Sequence, residues 1–298
     1  MSTVLTLNGI TKFYGKIRAL NNVSFEVPEG SVFGVLGPNG SGKTTLLSII
    51  LDVLKANKGN YLWFGHVGSP DQRKKIGSLL ETPNFYHYLS AMDNLKITQG
   101  ISGRGSKADI DAVLQKVRLF ERRKSPFKTY SLGMKQRLAV AAALLGGPKV
   151  LVLDEPTNGL DPVGIAEIRE LIIELRSSGH TIIMASHLLD EVEKICTHVA
   201  ILKQGDVLTT GDVEEVLMDE DVVELSAPDI NALSNILRQF NPNITIDNKM
   251  NVVQIILPKG TAKLDELNSF CFKNGIVLNH LILKKKRLEA RFFELTNN

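Results

Sequence analysis

Apolar and polar positions alternate along residues 4–35, a pattern that is typical of antiparallel strands with one buried face. The segments VSFEV and SVFGVLG in this stretch are joined by the turn signal Pro28-Glu29-Gly30, so we expect both to form antiparallel strands. From residue 32 onwards, short runs that are apolar throughout alternate with helical stretches. These runs are residues 32–36, 76–80, 150–153, 181–185 and 199–202. They indicate a parallel sheet covered by helices on both faces.

Strand patterns are absent between about residues 88 and 147, where helical spacing takes over. The segments SAMD and SKAD each place an aspartate three residues after a serine, which predicts a capping box at the start of a helix. A basic, glycine-containing loop lies between them. We therefore expect a helical insert in the α/β domain.

The last part of the chain, residues 218–298, has a different pattern. DVVELS, NITID, NVVQIILP and GIVLNHLILK are predicted strands, and residues 229–240 and 261–273 have helical spacing. The resulting β-α-β-β-α-β order suggests a small ferredoxin-like α+β domain after an α/β domain that spans residues 1–217.

Composition narrows the class of protein only a little. Of the 298 residues, 43% are hydrophobic and 22% are charged, as in an ordinary globular protein, and a net charge of +3 gives no argument for nucleic acid binding. Two distant cysteines fit a reducing cytosol. No secretory signal is evident, and no apolar run reaches about 18 residues, so we expect a chain that does not cross a membrane by itself.

The segment GPNGSGKT satisfies the pattern G-x-x-x-x-G-K-[ST] between an apolar strand and an apolar helix. Glycines allow several N–H groups to face one phosphate chain, the helix N-terminus adds positive charge, and Lys43 can reach the β- and γ-phosphates. The sequence therefore predicts a nucleoside triphosphate site. The predicted phosphate-binding residues are Gly37, Asn39, Gly40, Ser41, Gly42, Lys43, Thr44 and Thr45.

Acidic and imidazole side chains follow the other buried runs. Asp154 is predicted to hold Mg²⁺ with the Thr44 hydroxyl, and Glu155 to act as general base towards the attacking water. His187 follows the run at 181–185, and Glu81 follows the run at 76–80. Since the carboxyl ends of parallel strands line one crevice, we expect these side chains at one edge, although Glu81 could also be a solvated strand end.

A second anion site is predicted in the segment YSLGMKQRL, where Ser131 and Gly133 begin a helix without a nearby acid. One chain with two separate half-sites for phosphate suggests a dimer. An N-capped buried helix is the alternative interpretation of this segment.

Together these segments resemble the ATP-binding subunit of ABC transporters over about residues 3–215. KFYGKIRAL is similar to the segment that stacks on adenine, with Tyr14 as the aromatic residue. GPNGSGKTT is similar to the phosphate loop, and YSLGMKQRL is similar to the family signature. LVLDEPTNGLDP is similar to the metal-and-base strand, with Asp161 in the loop that follows. ASHLLDEVE is similar to the segment with the switch histidine, His187.

The resemblance implies two ATP-binding domains, in a homodimer or heterodimer, that close head-to-tail. Each ATP would lie between one P-loop and the other subunit's Ser131 and Gly133. Leu132 and Met134 depart from the glycine and glutamine commoner in the family. Glu81 stands where most members have a glutamine that contacts Mg²⁺ and the membrane partner, so the resemblance implies that Glu81 belongs to the catalytic and metal site and faces Mg·ATP or the coupling interface. An acid there, together with SLGMKQR and the C-terminal extension, looks like the subfamily that exports bacitracin, lantibiotics and multidrug-type substrates.

The resemblance further implies a separate transmembrane permease subunit, a peripheral location at the cytoplasmic face of the membrane, and ATP with Mg²⁺ as cofactors. An importer ATPase, and a soluble factor that acts on ribosomes or DNA, are the alternatives. The second usually has two nucleotide domains or a long coiled coil, and neither is visible here. The basic segment LKKKRLEAR near the C-terminus could touch anionic lipid or form a solvated loop.

Overall fold

A computed structural model of the chain describes residues 2–80, 84–217, 220–240, 244–247, 252–258, 260–284 and 292. The chain divides into two compact units, Met1–Val213 and Glu214–Asn298. The boundary expected after residue 217 falls a few residues beyond this division. Glu81 and nearly all of the basic C-terminal segment lie outside the described residues.

The elements follow one another along both units. The strands are β1 (Thr3–Tyr14), β2 (Ile17–Pro28), β3 (Val32–Leu36), β4 (Lys58–Trp63), β5 (His66–Val67), β6 (Ile76–Leu79), β7 (Val150–Asp154), β8 (Thr181–Ser186), β9 (His198–Lys203), β10 (Asp206–Asp212), β11 (Glu220–Ser226), β12 (Ile244–Asp247), β13 (Val252–Pro258) and β14 (His280–Lys284). The helices are α1 (Lys43–Ile50), α2 (Pro70–Arg73), α3 (Ala91–Ser102), α4 (Lys107–Lys116), α5 (Leu132–Leu144), α6 (Pro162–Ser177), α7 (Leu189–Ile195), α8 (Val213–Leu217), α9 (Ile230–Phe240) and α10 (Leu264–Lys273), with 3₁₀ turns at Phe120–Arg122 and Phe127–Thr129.

An antiparallel sheet with the order β2-β1-β4-β5 forms one layer of the first unit. In β2 the side chains of Val23, Phe25 and Val27 are buried, whereas Ser24 and Glu26 between them are exposed. This alternation is the pattern that predicted antiparallel strands, and the pairing of β1 with β2 confirms it.

The second predicted antiparallel segment, SVFGVLG, lies in a different sheet. Its strand β3 pairs in parallel with both β8 and β9, so the expectation that it would form an antiparallel strand beside VSFEV was wrong. All five residues of β3 are buried, and a strand with no polar face belongs in the covered centre of a parallel sheet. The turn at Gly30 leads into that sheet, where Gly30 N donates to Thr181 Oγ1 (2.9 Å).

The second sheet of the first unit has the order β10-β9-β3-β8-β7-β6. The five apolar runs predicted from the sequence all lie in it, and their mutual pairings are parallel, while β10 pairs antiparallel at one edge. Phe25 of β2 stacks on Phe33 of β3 with ring centroids 5.1 Å apart, which joins the two sheets in one core. The fold is thus the expected α/β arrangement with an antiparallel β subdomain.

The predicted helical insert contains α3, α4 and α5. Ser90 caps α3 by accepting a hydrogen bond from Asp93 N (3.1 Å), and Ser106 with Asp109 forms a complete capping box at α4. Both serines therefore begin helices where the sequence predicted them. No helix in the described part of the chain has the length and apolar character needed to cross a membrane.

The second unit contains β11, α9, β12, β13, α10 and β14, which confirms the predicted β-α-β-β-α-β order. Its antiparallel sheet has the order β12-β13-β11-β14. The unit has a hydrophobic core of its own, in which Val223, Leu225 and Val253 of the sheet pack with Leu233 and Leu267 of the helices. The last strand is shorter than predicted and begins at His280.

Candidate functional site

Three strands of the parallel sheet end side by side at the centre of the site. Leu36 of β3 pairs with Ser186 of β8, and Asp154 of β7 pairs with Ala185 of β8. The glycine-rich loop, the acidic pair and the histidine that follow these strands therefore meet at one edge of the sheet, as the sequence predicted. The neighbouring strand β6 pairs its last residue, Leu79, with Leu153 of β7, but Glu81 beyond it lies outside the described residues.

The predicted P-loop connects β3 to α1. Gly40 and Gly42 have φ angles of +80° and +107°, and a Cβ at Gly42 would lie 2.6 Å from the Ala19 carbonyl, so only glycine fits there. The first turn of α1 has neither a side-chain cap nor an acid, so its N–H groups can serve an anion. Asn39 and Gly40 are exposed at the tip of the loop, while Gly37 is buried and Thr45 half-buried.

Lys43 lies beneath this loop, with only 6% of its side chain exposed. Its ammonium group donates to the Gly37 carbonyl (2.8 Å) and lies 3.6 Å from Glu155 Oε1. A cation is thereby held between the loop and the acidic end of β7, which is the position that a lysine needs to approach phosphate oxygens.

Thr44 and Asp154 form the predicted metal-binding pair. Thr44 Oγ1 donates to Asp154 Oδ2 (2.8 Å), and Asp154 is buried. Ser41 Oγ, in the same loop, is buried without a hydrogen-bond partner among the described residues. A hydroxyl next to a carboxylate fits Mg²⁺, which usually takes one or two protein ligands and completes its shell with water and phosphate oxygens. The site therefore fits Mg·ATP.

Glu155 and His187 are in direct contact. Glu155 has a φ angle of +47°, rare for a residue with a side chain, and its N–H donates to the Ala185 carbonyl (3.0 Å). This conformation turns the chain sharply after β7 and aims the carboxylate at His187, with 2.8 Å between Glu155 Oε2 and His187 Nδ1. Backbone strain of this kind is commonly maintained at functional sites.

The residues predicted to act across a dimer interface form a second group. Ser131 caps α5 and accepts from Met134 N (3.2 Å), and Asp161 caps α6 and accepts from Gly164 N (2.8 Å). Gly133 closely approaches Gly164, since a Cβ at Gly133 would lie 3.8 Å from the Gly164 Cα. The starts of the two helices are therefore neighbours on one surface.

Tyr14 is exposed at the end of β1, with Lys12 Nζ 5.3 Å from its ring centroid. The β1–β2 hairpin that carries it contacts the P-loop at Ala19, whose carbonyl limits the space at Gly42. The exposed ring is thus available for stacking, on a hairpin that reaches the P-loop at Ala19.

Several residues of the site were not predicted from the sequence. A cavity of 470 Å³ adjoins Thr44, Asp154 and Glu155 on one side and the helical insert on the other. Its additional lining residues are Asn84, His87, Phe127, Leu132, Lys135, Gln136 and Asn158. The sequence did contain signals for some of them: Asn84 and His87 come shortly after β6, and Lys135 and Gln136 belong to the signature segment.

Known proteins resemble the chain in both sequence and fold. The sequence pattern of the ABC transporter family matches residues 20–158. A lantibiotic transport ATP-binding protein of Streptococcus pyogenes is 42% identical over 205 residues, which cover 69% of this chain and 89% of that protein. A bacitracin transport ATP-binding protein of Bacillus licheniformis is 35% identical over 306 residues, which cover 99% of this chain and 98% of that protein.

Solved structures agree with the sequence relatives. A dimeric ATP-binding cassette in a post-hydrolysis state, bound to ADP and Pi, matches with a TM-score of 0.62 and 26% identity over 70% of this chain and 98% of that one. A component of a transporter complex from Clostridium perfringens matches with a TM-score of 0.66 and 29% identity, over 72% of this chain and 91% of that one. The relatives, the fold and the converging P-loop, Asp154 and Glu155 lead to one conclusion: the chain belongs to the family of ABC transporter ATP-binding proteins and is an ATPase.

Proposed function

We propose that the chain is the ATP-hydrolysing subunit of an exporter, that it works as a homodimer or heterodimer, and that it drives a separate transmembrane permease subunit. The observation that carries this proposal is the convergence of Lys43, the Thr44–Asp154 pair and the Glu155–His187 pair at one edge of the parallel sheet. Each of these groups has a distinct task in phosphoryl transfer, which depends mainly on positioning and charge neutralisation.

Lys43 and the N–H groups of the P-loop bind the phosphates, and the Tyr14 ring stacks on adenine. Thr44 and Asp154 would hold Mg²⁺, which supplies charge neutralisation on the phosphate oxygens when it is bound. Glu155 orients the attacking water and accepts its proton. His187 fixes the orientation of that carboxylate through the 2.8 Å contact of its Nδ1 with Oε2.

The exposed group at Ser131, Gly133 and Asp161 supports the dimer. The first turn of α5 has no acid of its own, and Ser131 is exposed. The expectation that no acid lies nearby was wrong, because Glu167 of α6 lies beside Gly133 and pairs with Arg137 at 3.4 Å. With Glu167 paired in this way, Ser131 and Gly133 are the proposed contacts for a phosphate that another subunit holds. A related cassette is dimeric with ADP and Pi bound. ATP would close such a dimer, and hydrolysis would reopen it.

An ordered aromatic surface supports docking to a membrane subunit. The side chains of Tyr86 and Tyr88 are 51% and 71% exposed, and their rings contact each other with centroids 6.0 Å apart. The buried Asn94 fixes this loop, since its Oδ1 accepts from Tyr86 N (2.8 Å) and its Nδ2 donates to the Tyr86 carbonyl (3.1 Å). Rigid exposed tyrosines are typical of binding surfaces. We place the coupling contact here and around Glu81, at the cytoplasmic face of the membrane.

The relatives suggest the exported compound. Two of them are named for lantibiotic and bacitracin transport, and the second matches along nearly the whole chain. A peptide antibiotic or drug-like compound is accordingly the proposed substrate. The C-terminal unit is part of this longer match.

Affinity purification of the tagged full chain from detergent-solubilised membranes of its host tests the proposal. We expect a polytopic membrane protein to co-purify. The Y86A/Y88A variant should lose it, whereas F272A, which removes an equally exposed aromatic ring from the second unit, should keep it. Co-purification of ribosomes or DNA would contradict the proposal, and transport that requires an extracytoplasmic binding protein would identify an importer.

A further inference from the structure

The helix that follows His187 is not fixed at its start by a capping side chain. α7 begins at Leu189, and its N-cap residue Leu188 provides no side-chain hydrogen bond. The exposed imidazole of His187 contacts Glu155, and Leu188 N donates to Ser186 Oγ (3.0 Å). The direction of the imidazole therefore depends on how α7 is held against the rest of the unit.

An ion pair between α6 and α7 provides this attachment. Glu191, in the first turn of α7, has only 12% of its side chain exposed. Arg169 Nη1 of α6 donates to both of its carboxylate oxygens at 3.1 Å, and Lys194 Nζ contacts Oε1 at the same distance. A carboxylate with so little access to water is stable only with a charged partner, so the pair fixes the first turn of α7 on α6.

The same pair completes a closed path of backbone and side-chain contacts that begins and ends at Glu155. From Glu155 the chain runs through a short loop into α6, where Arg169 binds Glu191. From Glu191 the chain runs back through the first turn of α7 to His187, which contacts Glu155 again. Two side-chain contacts complete this path: His187 with Glu155, and Arg169 with Glu191.

We propose that Arg169 and Glu191 are positioning residues for hydrolysis, and that their ion pair sets the orientation of His187 against Glu155. Neither residue contacts the nucleotide in this scheme; both act through His187. The inference rests on the proposed function of His187.

Steady-state ATPase kinetics of the full chain with Arg169→Met provide the first test. We expect kcat to fall about tenfold, since a displaced imidazole no longer orients Glu155. The Kd for ATP should stay within about twofold of wild type, because Lys43 and Thr44 lie on α1. Arg118→Met is the matched control: Arg118 also pairs with acids of α6, Glu170 and Glu174, but it is 55% exposed, so kcat should be unchanged.

A double-mutant cycle of Arg169→Met with His187→Ala tests whether Arg169 positions His187 or only stabilises the fold. If Arg169 acts through His187, the R169M/H187A variant has the single-turnover rate of H187A alone. Multiplied losses, or a wild-type kcat for R169M, would overturn the inference. Normal hydrolysis by H187A would instead refute the proposed function of His187.

Thermal unfolding of each variant accompanies the cycle. If R169M is partly unfolded at the assay temperature, the same cycle is measured with Glu191→Gln, which removes the charge of the partner and keeps its size. The same criteria then apply to E191Q.

Discussion

Thr44 is the residue at which the P-loop and the metal-binding strand meet. Its hydroxyl donates to Asp154 Oδ2 at 2.8 Å, so Thr44→Val removes the proposed metal ligand while it preserves the shape of the side chain. We expect kcat to fall at least about tenfold and ATP binding to lose most of its dependence on Mg²⁺. Titration of ATP with and without Mg²⁺ measures the change.

Thr44→Ser is the matched control, since it keeps the hydroxyl. It should remain close to wild type in both measurements. Equal Mg²⁺ dependence in T44V and wild type would show that the metal is held elsewhere.

In the second unit, Glu224 makes stability dependent on pH. Its buried carboxylate accepts hydrogen bonds from Lys284, Gln254 and His280. These hydrogen bonds lower the pKa of Glu224 below its ordinary value, and the bond from Lys284 has the largest effect. Burial acts in the opposite direction. Because the folded state favours the ionised form, the stabilisation is complete above the unfolded carboxyl pKa of about 4.3 and is lost as pH falls through the lowered value.

Glu224→Gln should therefore destabilise the second unit by about 1 kcal/mol at pH 7, and the difference from wild type should disappear in strong acid. Chemical unfolding at several pH values checks this. Glu266→Gln, which breaks the exposed Lys263–Glu266 pair, should have almost no effect. A constant difference at all pH values would show that the charge of Glu224 is not involved.

Single residues also show how far sequence reasoning extends. Apolar runs followed by Asp154, Glu155 and His187 predicted one shared edge, because parallel strands align their carboxyl ends. The φ of +47° at Glu155 accompanies a hydrogen bond to Ala185 on the neighbouring strand β8, and the Arg169–Glu191 pair depends on how α6 and α7 pack. Neither could be predicted, because each joins residues that are separated in sequence.

Among the elements, β6 and α5 approach each other closely at Gly77. A Cβ at Gly77 would lie 2.1 Å from the Ala143 carbonyl near the end of α5, so Gly77→Ala must push this helix outward. We expect a loss of about 2 kcal/mol in the free energy of unfolding. The displacement would also reach Ser131 at the start of α5.

Gly100→Ala is the control for that substitution. It lies in α3 with open space around it, so alanine should stabilise the protein by up to about 1 kcal/mol through helix propensity. Denaturant unfolding compares the two. If G77A were as stable as G100A, the close contact between β6 and α5 would be refuted.

Element prediction succeeded where periodicity was unambiguous and failed at one connection. Ser106 and Asp109 identified the start of α4 because the capping chemistry is local. The segment after Gly30 received two predictions from the sequence: its turn signal predicted an antiparallel strand, which was wrong, and its apolar run at residues 32–36 predicted a strand of the parallel sheet, which β3 confirms. Local turn chemistry does not determine which sheet receives the next strand.

At the scale of the whole molecule, the proposed dimer accounts for two features of one chain, the nucleotide site at the P-loop and the separate surface at Ser131 and Asp161. Relatives that match along nearly the full length are ATP-binding proteins of transporters. Coupling to a membrane partner would then transmit the opening and closing of the dimer.

Glu155→Gln tests the central claim most directly, because it keeps the size of the side chain and removes the carboxylate that we propose as the base. We expect E155Q to bind ATP with an unchanged Kd, to accumulate as an ATP-bound dimer in light scattering, and to hydrolyse ATP at least about a hundred times more slowly than wild type. Hydrolysis by E155Q at the wild-type rate would contradict the account.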